Sequence, residues 1–385
     1  MKKNKKMKVG IFVTAAFCRK GYLDAVSGHV QIPLMAAKIL ADAGHQVTLV
    51  TTRPRDADTL PKEILKNVSV HTVEHISRIW PERGVCWHRV PKQMWELFLF
   101  HKKESFDVIH FFGSTNVGLS LSCLQYLGVK SYALFTPIKC PRADTSSVRD
   151  KAMRVGFGRI DKIIATTDYV RDGWASLLGP NKVTSLYPGI MKEMPEPREN
   201  TNRNSVLFWR NAGYENGADL AMKSFLELAP RYPDVRFVFA VRPHDVLENE
   251  LLAMQRCVSN IDVHIYPYKS GMSLANLLHN ALFVVQPFRK LSLNPQMSIL
   301  ETLYAGVPVI TTKIESNEEL VKDAQNGFLI PADDKNALTC AIERLLVDRK
   351  LVERLRKGTR AIVTESWNWE SFGKGLLKIY ENKSL

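Results

Sequence analysis

Apolar residues recur along this chain in short runs rich in Val, Ile and Phe, separated by longer stretches in which they return every three or four residues. The short runs read as buried strands and the longer stretches as helices packed on them. In the first half, strands are predicted at 9–13, 47–51, 108–112, 132–135 and 162–165, with a helix over 29–43 that stops at Gly44. The second half repeats the scheme, with strands at 206–209, 235–240, 282–285 and 307–311 and helices over 219–229 and 298–305. Alternating strands and helices imply parallel sheets covered on both faces. The repetition predicts an α/β fold of two Rossmann-like, doubly wound domains facing each other across a cleft. Ligands in such sheets bind beyond the carboxyl ends of the strands.

Between the halves, residues 188–200 carry three prolines and many charges, the composition of a linker. The predicted division is a first domain over 1–187, a linker over 188–204, a second domain over 205–365 and a terminal helix over 366–385 that crosses back to the first domain.

A length of 385 residues suits two domains, and 45% hydrophobic with 24% charged residues excludes disordered, collagenous and fibrous chains. No apolar run approaches the ~18 residues that span a bilayer. The lysine-rich start followed by apolar residues mimics a signal segment, but Phe17 is bulky where a small residue would precede cleavage, so the run reads as a buried first strand. Cys18, Cys86, Cys123, Cys140, Cys257 and Cys340 are scattered. That spacing argues against zinc-ribbon and thioredoxin chemistry and fits a reducing, cytoplasmic setting.

Charge changes the picture more. Residues 1–190 hold 28 Lys and Arg against 15 Asp and Glu, while the remainder holds 25 against 24, so nearly all of the net +14 sits in one half. A one-sided excess points to an anionic partner. Around it, Arg78, Trp80, Arg83, Trp87 and Arg89 mix cations with indoles, a combination suited to an anionic membrane interface. Trp95, Phe98 and Phe100 read instead as the packed face of a helix. No helix-turn-helix, zinc or aromatic-sheet module accompanies the charge, which argues against nucleic acid.

The densest chemistry lies at 286–310. A strand enters a loop bearing Arg289, Lys290 and Asn294, a helix opens near Gln296 and Ser298, and a strand follows Gly306. Free amides at such a helix start suit phosphate. Glu301 inside that helix suits sugar hydroxyls. A solvated glutamate is the commoner use of such a residue, but the apolar flanks make an idle carboxylate costly here.

This stretch resembles the donor-site motif of the retaining, GT-B-fold glycosyltransferases of family four (glycosyltransferase group 1). Residues 26–29, 44–50, 107–110, 187–190, 208–210 and Glu319 with 326–329 resemble further motifs of that family, in the same order. The resemblance implies that Arg210 contacts the donor diphosphate and Glu301 the nucleotide ribose. Gly28 would let backbone approach the phosphates, and Asn294, Gln296 and Ser298 would line the donor site. It further implies transfer of a hexose from a nucleotide diphosphate sugar, with retention, to a lipid-linked or glycan acceptor in cell-surface polysaccharide or glycolipid synthesis. No metal and no cofactor would be needed, and the enzyme would be cytoplasmic or peripheral on the inner face of the membrane.

The chain departs from the pattern at four places. Leu293 stands where the family has a sugar-binding glutamate, and Asn216 where it has a lysine before a glycine. Thr136 and Phe112 replace histidines, leaving His110 as the nearest candidate catalytic imidazole. Arg289 or Lys290 is expected to supply the charge that Asn216 lacks. The alternative is a degenerate GT-B protein acting as a binding or partner subunit.

Overall fold

The computed structural model describes residues 6–13, 18–19, 28–52, 58–59, 64–73, 90–141, 148–191, 203–243, 247–269 and 272–381. The chain divides into two compact units, Met1–Met191 together with Trp369–Leu385, and Lys192–Asn368. Most of the stretch expected as a linker, 192–202, lies outside the described residues, as do Arg78, Trp80, Arg83, Trp87 and Arg89.

The first unit contains β1 (Lys8–Val13), β2 (Cys18–Arg19), β3 (Gln46–Thr52), β4 (Asp58–Thr59), β5 (Ser69–Val73), β6 (Val108–Gly113), β7 (Tyr132–Pro137), β8 (Lys162–Ala165) and β9 (Val183–Ser185). Seven of these form a parallel sheet in the order β5-β3-β1-β6-β7-β8-β9, while β2 and β4 pair as a short antiparallel ribbon. Residues 9–13 are all buried, which is why this central strand reads as an unbroken apolar run rather than an alternation. Alternate residues feed two cores. Phe12 stacks on Phe111 at 4.4 Å on one face, and Ile11 joins Leu34 and Leu40 on the other. The helix Trp369–Glu381 closes the second face with Phe372, Leu376 and Tyr380.

The helix Val90–Glu104 corrects one expectation. Met94 and Leu97 are buried and Phe98 and Phe100 pack against the core, but Trp95 is 56% exposed. Helical spacing explains it: 94, 97 and 98 share a face, and 95 is turned about 100° away from 94.

The second unit contains β10 (Ser205–Asn211), β11 (Arg236–Arg242), β12 (Ile261–Ile265), β13 (Ala281–Gln286), β14 (Val309–Thr312) and β15 (Gly327–Ile330). They form a parallel sheet in the order β12-β11-β10-β13-β14-β15. Phe208, Phe225, Phe237 and Phe239 fill the core beneath the helix Ala218–Leu228. Strand order reverses between β10 and β13, so the crevice where such sheets take ligands opens at the ends of those two strands. Among the described residues, no helix is long and apolar enough to cross a membrane.

Candidate active site

Arg210 stands one residue from the end of β10 and Gln286 ends β13, so both lie at that switch point. The segment after Gln286 is not a loose basic loop. Phe288, Leu291, Leu293, Asn294 and Gln296 are all buried. Thr312 Oγ1 donates to the Phe288 carbonyl, Thr311 Oγ1 to that of Gln286, and Asn294 Nδ2 to Glu315 Oε2. Asn294 Oδ1 also accepts from the Ser316 hydroxyl. The segment thereby delivers the chain to the helix Met297–Tyr304 in one fixed position, and the side chain of Gln296, just before its first turn, makes no capping bond.

Arg210 is half-buried and reaches this helix start. Its Nη2 donates to Ser292 Oγ at 2.9 Å and its Nη1 to Ser298 Oγ at 3.2 Å. With the Gln296 amide oriented to satisfy its neighbours, Oε1 accepts from both Nη atoms. Phe288 lies under the guanidinium, 5.6 Å from its ring centre. Behind these contacts, Ser298 Oγ donates to Gln286 Oε1, Gln286 Nε2 to the Trp209 carbonyl, and Trp209 Nε1 to Thr302 Oγ1. β10, β13 and the helix are thus stapled around one cation.

Burial lowers the Arg210 guanidinium to about 10; the Arg242 charge acts in the same direction and the Glu301 carboxylate opposes it. The group stays protonated at neutral pH. Glu301 is 9% exposed, one turn into the helix and within electrostatic reach of Arg210. The structure therefore brings Arg210, Gln296, Ser298 and Glu301 together, with Asn294 holding the segment that precedes them.

Other expected residues are placed differently. Arg289 donates twice to Asp219, at 2.6 and 2.9 Å, and once to Asp333 at 2.6 Å. Hydrogen bonding to Asp219 holds it well above the ordinary arginine range. Its charge is already matched by two carboxylates and pins the loop to the helix Ala218–Leu228. Lys290 is exposed and lies 3.4 Å from Glu215. Asn216 Nδ2 donates to the Asn211 carbonyl, closing the turn after β10, and Leu293 is 6% exposed. Gly28 opens the helix Gly28–Asp42, and the loop before it lies outside the described residues.

His110 is a correction. It is fully buried in the first unit, with Nδ1 2.9 Å from the Tyr380 hydroxyl and Nε2 2.8 Å from Thr136 Oγ1. Burial depresses its pKa to about 3. An imidazole without solvent access, with both nitrogens engaged, anchors the terminal helix rather than serving a substrate.

Sequence reasoning missed Ser292, which accepts from Arg210, and Gln286, which holds Ser298 and the end of β10. Among the described residues, no group of three or more His, Cys, Asp or Glu side chains is arranged to hold a metal.

Two Rossmann-like parallel-sheet units in one chain are the architecture of the GT-B class, and a half-buried arginine stands at the switch point of the second. The sucrose-phosphate synthase of Thermosynechococcus elongatus has this fold, with a TM-score of 0.76 at 16% identity over 98% of this chain and 99% of that one. So has Anabaena HepE, solved in complex with UDP and glucose, with a TM-score of 0.71 at 13% identity over 97% and 99%. In sequence, a phosphatidyl-myo-inositol mannosyltransferase of Mycolicibacterium smegmatis is 22% identical over 405 residues, spanning 98% of this chain and 94% of the relative. Residues 28–193 match the Glycosyltransferase Family 4 model and residues 190–362 the model for glycosyl transferases group 1. The chain belongs to the group 1 glycosyltransferases.

Proposed function

We propose that the protein transfers a hexose from a nucleotide diphosphate sugar to a lipid-linked or glycan acceptor, with retention of configuration and without a metal. The observation that carries this reading is the Arg210 guanidinium, half-buried at the carboxyl end of β10 and hydrogen-bonded to the neutral side chains of Ser292, Ser298 and Gln296. A protonated cation held by neutral groups has charge left for a ligand, and a diphosphate repays its desolvation. When the sugar leaves, negative charge grows on the diphosphate, and a prepositioned guanidinium stabilises that change without reorganising. The amides opening the helix Met297–Tyr304 assist from the other side, and Glu301 accepts from the ribose hydroxyls.

HepE, solved with UDP and glucose, supports the donor class, and the mannosyltransferase whose name specifies phosphatidyl-myo-inositol supports a lipid-linked acceptor. The basic excess over residues 1–190 suits an acceptor presented at an anionic membrane, as in glycolipid assembly on the inner face. A thermal-shift panel of UDP-, GDP- and ADP-sugars tests the reading: one base is expected to stabilise the protein and to be turned over with acceptor. Stabilisation by none overturns it.

A second reading, a binding or partner subunit without turnover, is favoured by the apolar Leu293 and by Asn216 at positions where the family pattern carries a glutamate and a lysine. Nucleotide-sugar binding with no hydrolysis or transfer on any acceptor would select it.

A further inference from the structure

We infer that one side of the first unit, formed by the helices Val90–Glu104, Thr115–Tyr126 and Val148–Phe157, is a docking surface for an anionic lipid bilayer. This rests on the membrane-presented acceptor proposed above and says which surface meets the membrane. Among the described residues of the first unit, the exposed large apolar side chains are Trp95, Leu99, Tyr126, Leu127, Val155 and Tyr169, and all but Tyr169 gather on this side. Trp95, Leu99 and Lys102 follow at i, i+4 and i+7, so they share one stripe of the first helix. Trp95 stacks on Phe98 at 5.5 Å, and Lys102 lies over the same ring at 6.0 Å. The stripe ends at an open cavity of about 400 Å³, lined by Phe98 and Lys102 from this helix and by Leu127 and Lys130 from the connection to β7. Beyond it, Arg159 covers the ring of Tyr126 at 4.2 Å, and the Tyr126 hydroxyl donates to the Val155 carbonyl at 2.9 Å.

Charge selects the occupant. Lys102, Lys130, Arg154 and Arg159 are exposed on this side, and among the described residues no ion pair holds them. The neighbouring acids are engaged: Glu104 pairs with Lys8 at 2.9 Å, Asp107 accepts from the Lys8 amide at 2.8 Å, and Asp161 from that of Ala133 at 2.7 Å. Glu96 is left as an exposed carboxylate, outnumbered by these cations. Indole and phenol rings settle at headgroup depth while lysine and arginine reach the phosphates, so a surface that interleaves them matches an anionic bilayer. A second copy of the chain fits poorly, because an isologous contact would set these cations against themselves. Glu104 is followed almost at once by β6, so the helix Val90–Glu104 descends antiparallel to the strands it covers. A bilayer against this side lies alongside the sheet and leaves its carboxyl edge open to an acceptor.

Flotation reads this surface directly. The protein is mixed with vesicles of phosphatidylcholine, alone or with phosphatidylglycerol added, and is expected to rise with the second kind. Lys102→Gln together with Lys130→Gln should weaken that binding about thirtyfold, each basic side chain at such a surface being worth about fivefold. Trp95→Ala together with Leu99→Ala should weaken it about tenfold by removing the inserted apolar groups. Brominated lipid should quench the fluorescence of the parent more than that of Trp95→Phe. All these positions are exposed, and unchanged melting temperatures would show that the variants fold. Equal recovery of parent and variants overturns the inference and leaves sugar transfer intact. A dimer in sedimentation that the Trp95 and Leu99 variant breaks, with no vesicle binding, assigns the face to a second copy and overturns it as well. Vesicle binding that needs these residues in a protein that accepts no nucleotide sugar upholds the surface while the proposed transfer falls.

Discussion

Arg210 and His110 were both singled out through the family resemblance, and the structure places them in different surroundings. Arg210 keeps an open side toward the switch point, and its replacement should act on the chemical step. Arg210→Ala is expected to lower kcat by about 100-fold or more while weakening nucleotide diphosphate binding less. Steady-state kinetics beside titration of UDP or GDP check this, and equal losses in both would assign Arg210 to ground-state binding alone. His110, by contrast, contributes to folding. Its pKa falls from 6.5 to about 3 in the native state, so the unfolded chain binds the extra proton between those values. The stabilisation from its burial is complete above pH 6.5 and is lost as pH falls toward 3, at about 1.4 kcal/mol per pH unit. Urea unfolding between about pH 4 and 6 should therefore show a shallower acid slope for His110→Gln than for the parent.

At the scale of elements, two contacts hold the site's frame. Gly217 has φ +72° at the start of the helix Ala218–Leu228, and a Cβ there would meet the Pro287 carbonyl oxygen at 2.0 Å. Gly217→Ala should displace the segment leading to Ser298, lowering the melting temperature and nucleotide affinity together; the backbone strain alone costs about 1–2 kcal/mol. Arg356 acts at the other end. Its guanidinium donates to the carbonyls of Gly306, Ala281 and Leu282, tying the exit of the helix Met297–Tyr304 to the beginning of β13. Arg356→Met leaves buried carbonyls without donors and should cost about 2–4 kcal/mol in chemical denaturation. An unchanged midpoint would show that other groups satisfy those carbonyls.

For the whole molecule, the measurable property is the charge asymmetry. The excess of 28 cations over 15 acids in residues 1–190 predicts recovery on anionic vesicles but not on neutral ones, weakening with salt. Flotation with Arg78, Arg83 and Arg89 replaced together tests which charges matter. Equal recovery on both vesicle types would leave the excess as a solubility feature. Trp95 and Leu99, 56% and 47% exposed on the helix Val90–Glu104, add apolar surface to the same half.

The two-fold repeat of parallel α/β units was legible because strands buried on both faces, such as 9–13 and 206–209, must be apolar throughout, and chemical composition records that directly. That Ser298 and Glu301 share one helix was legible because the strand-loop-helix connection after Gln286 is local in sequence, whereas Arg210 reaches that helix from β10, 88 residues earlier in the chain. What only the tertiary structure decided is long-range. Whether Arg289 is spare or neutralised depends on Asp219, seventy residues away in the chain, and on Asp333. Whether His110 meets water depends on Tyr380, 270 residues further on. A side chain's type fixes what chemistry it is capable of, but its free charge and its access are set by neighbours that the fold brings in from elsewhere.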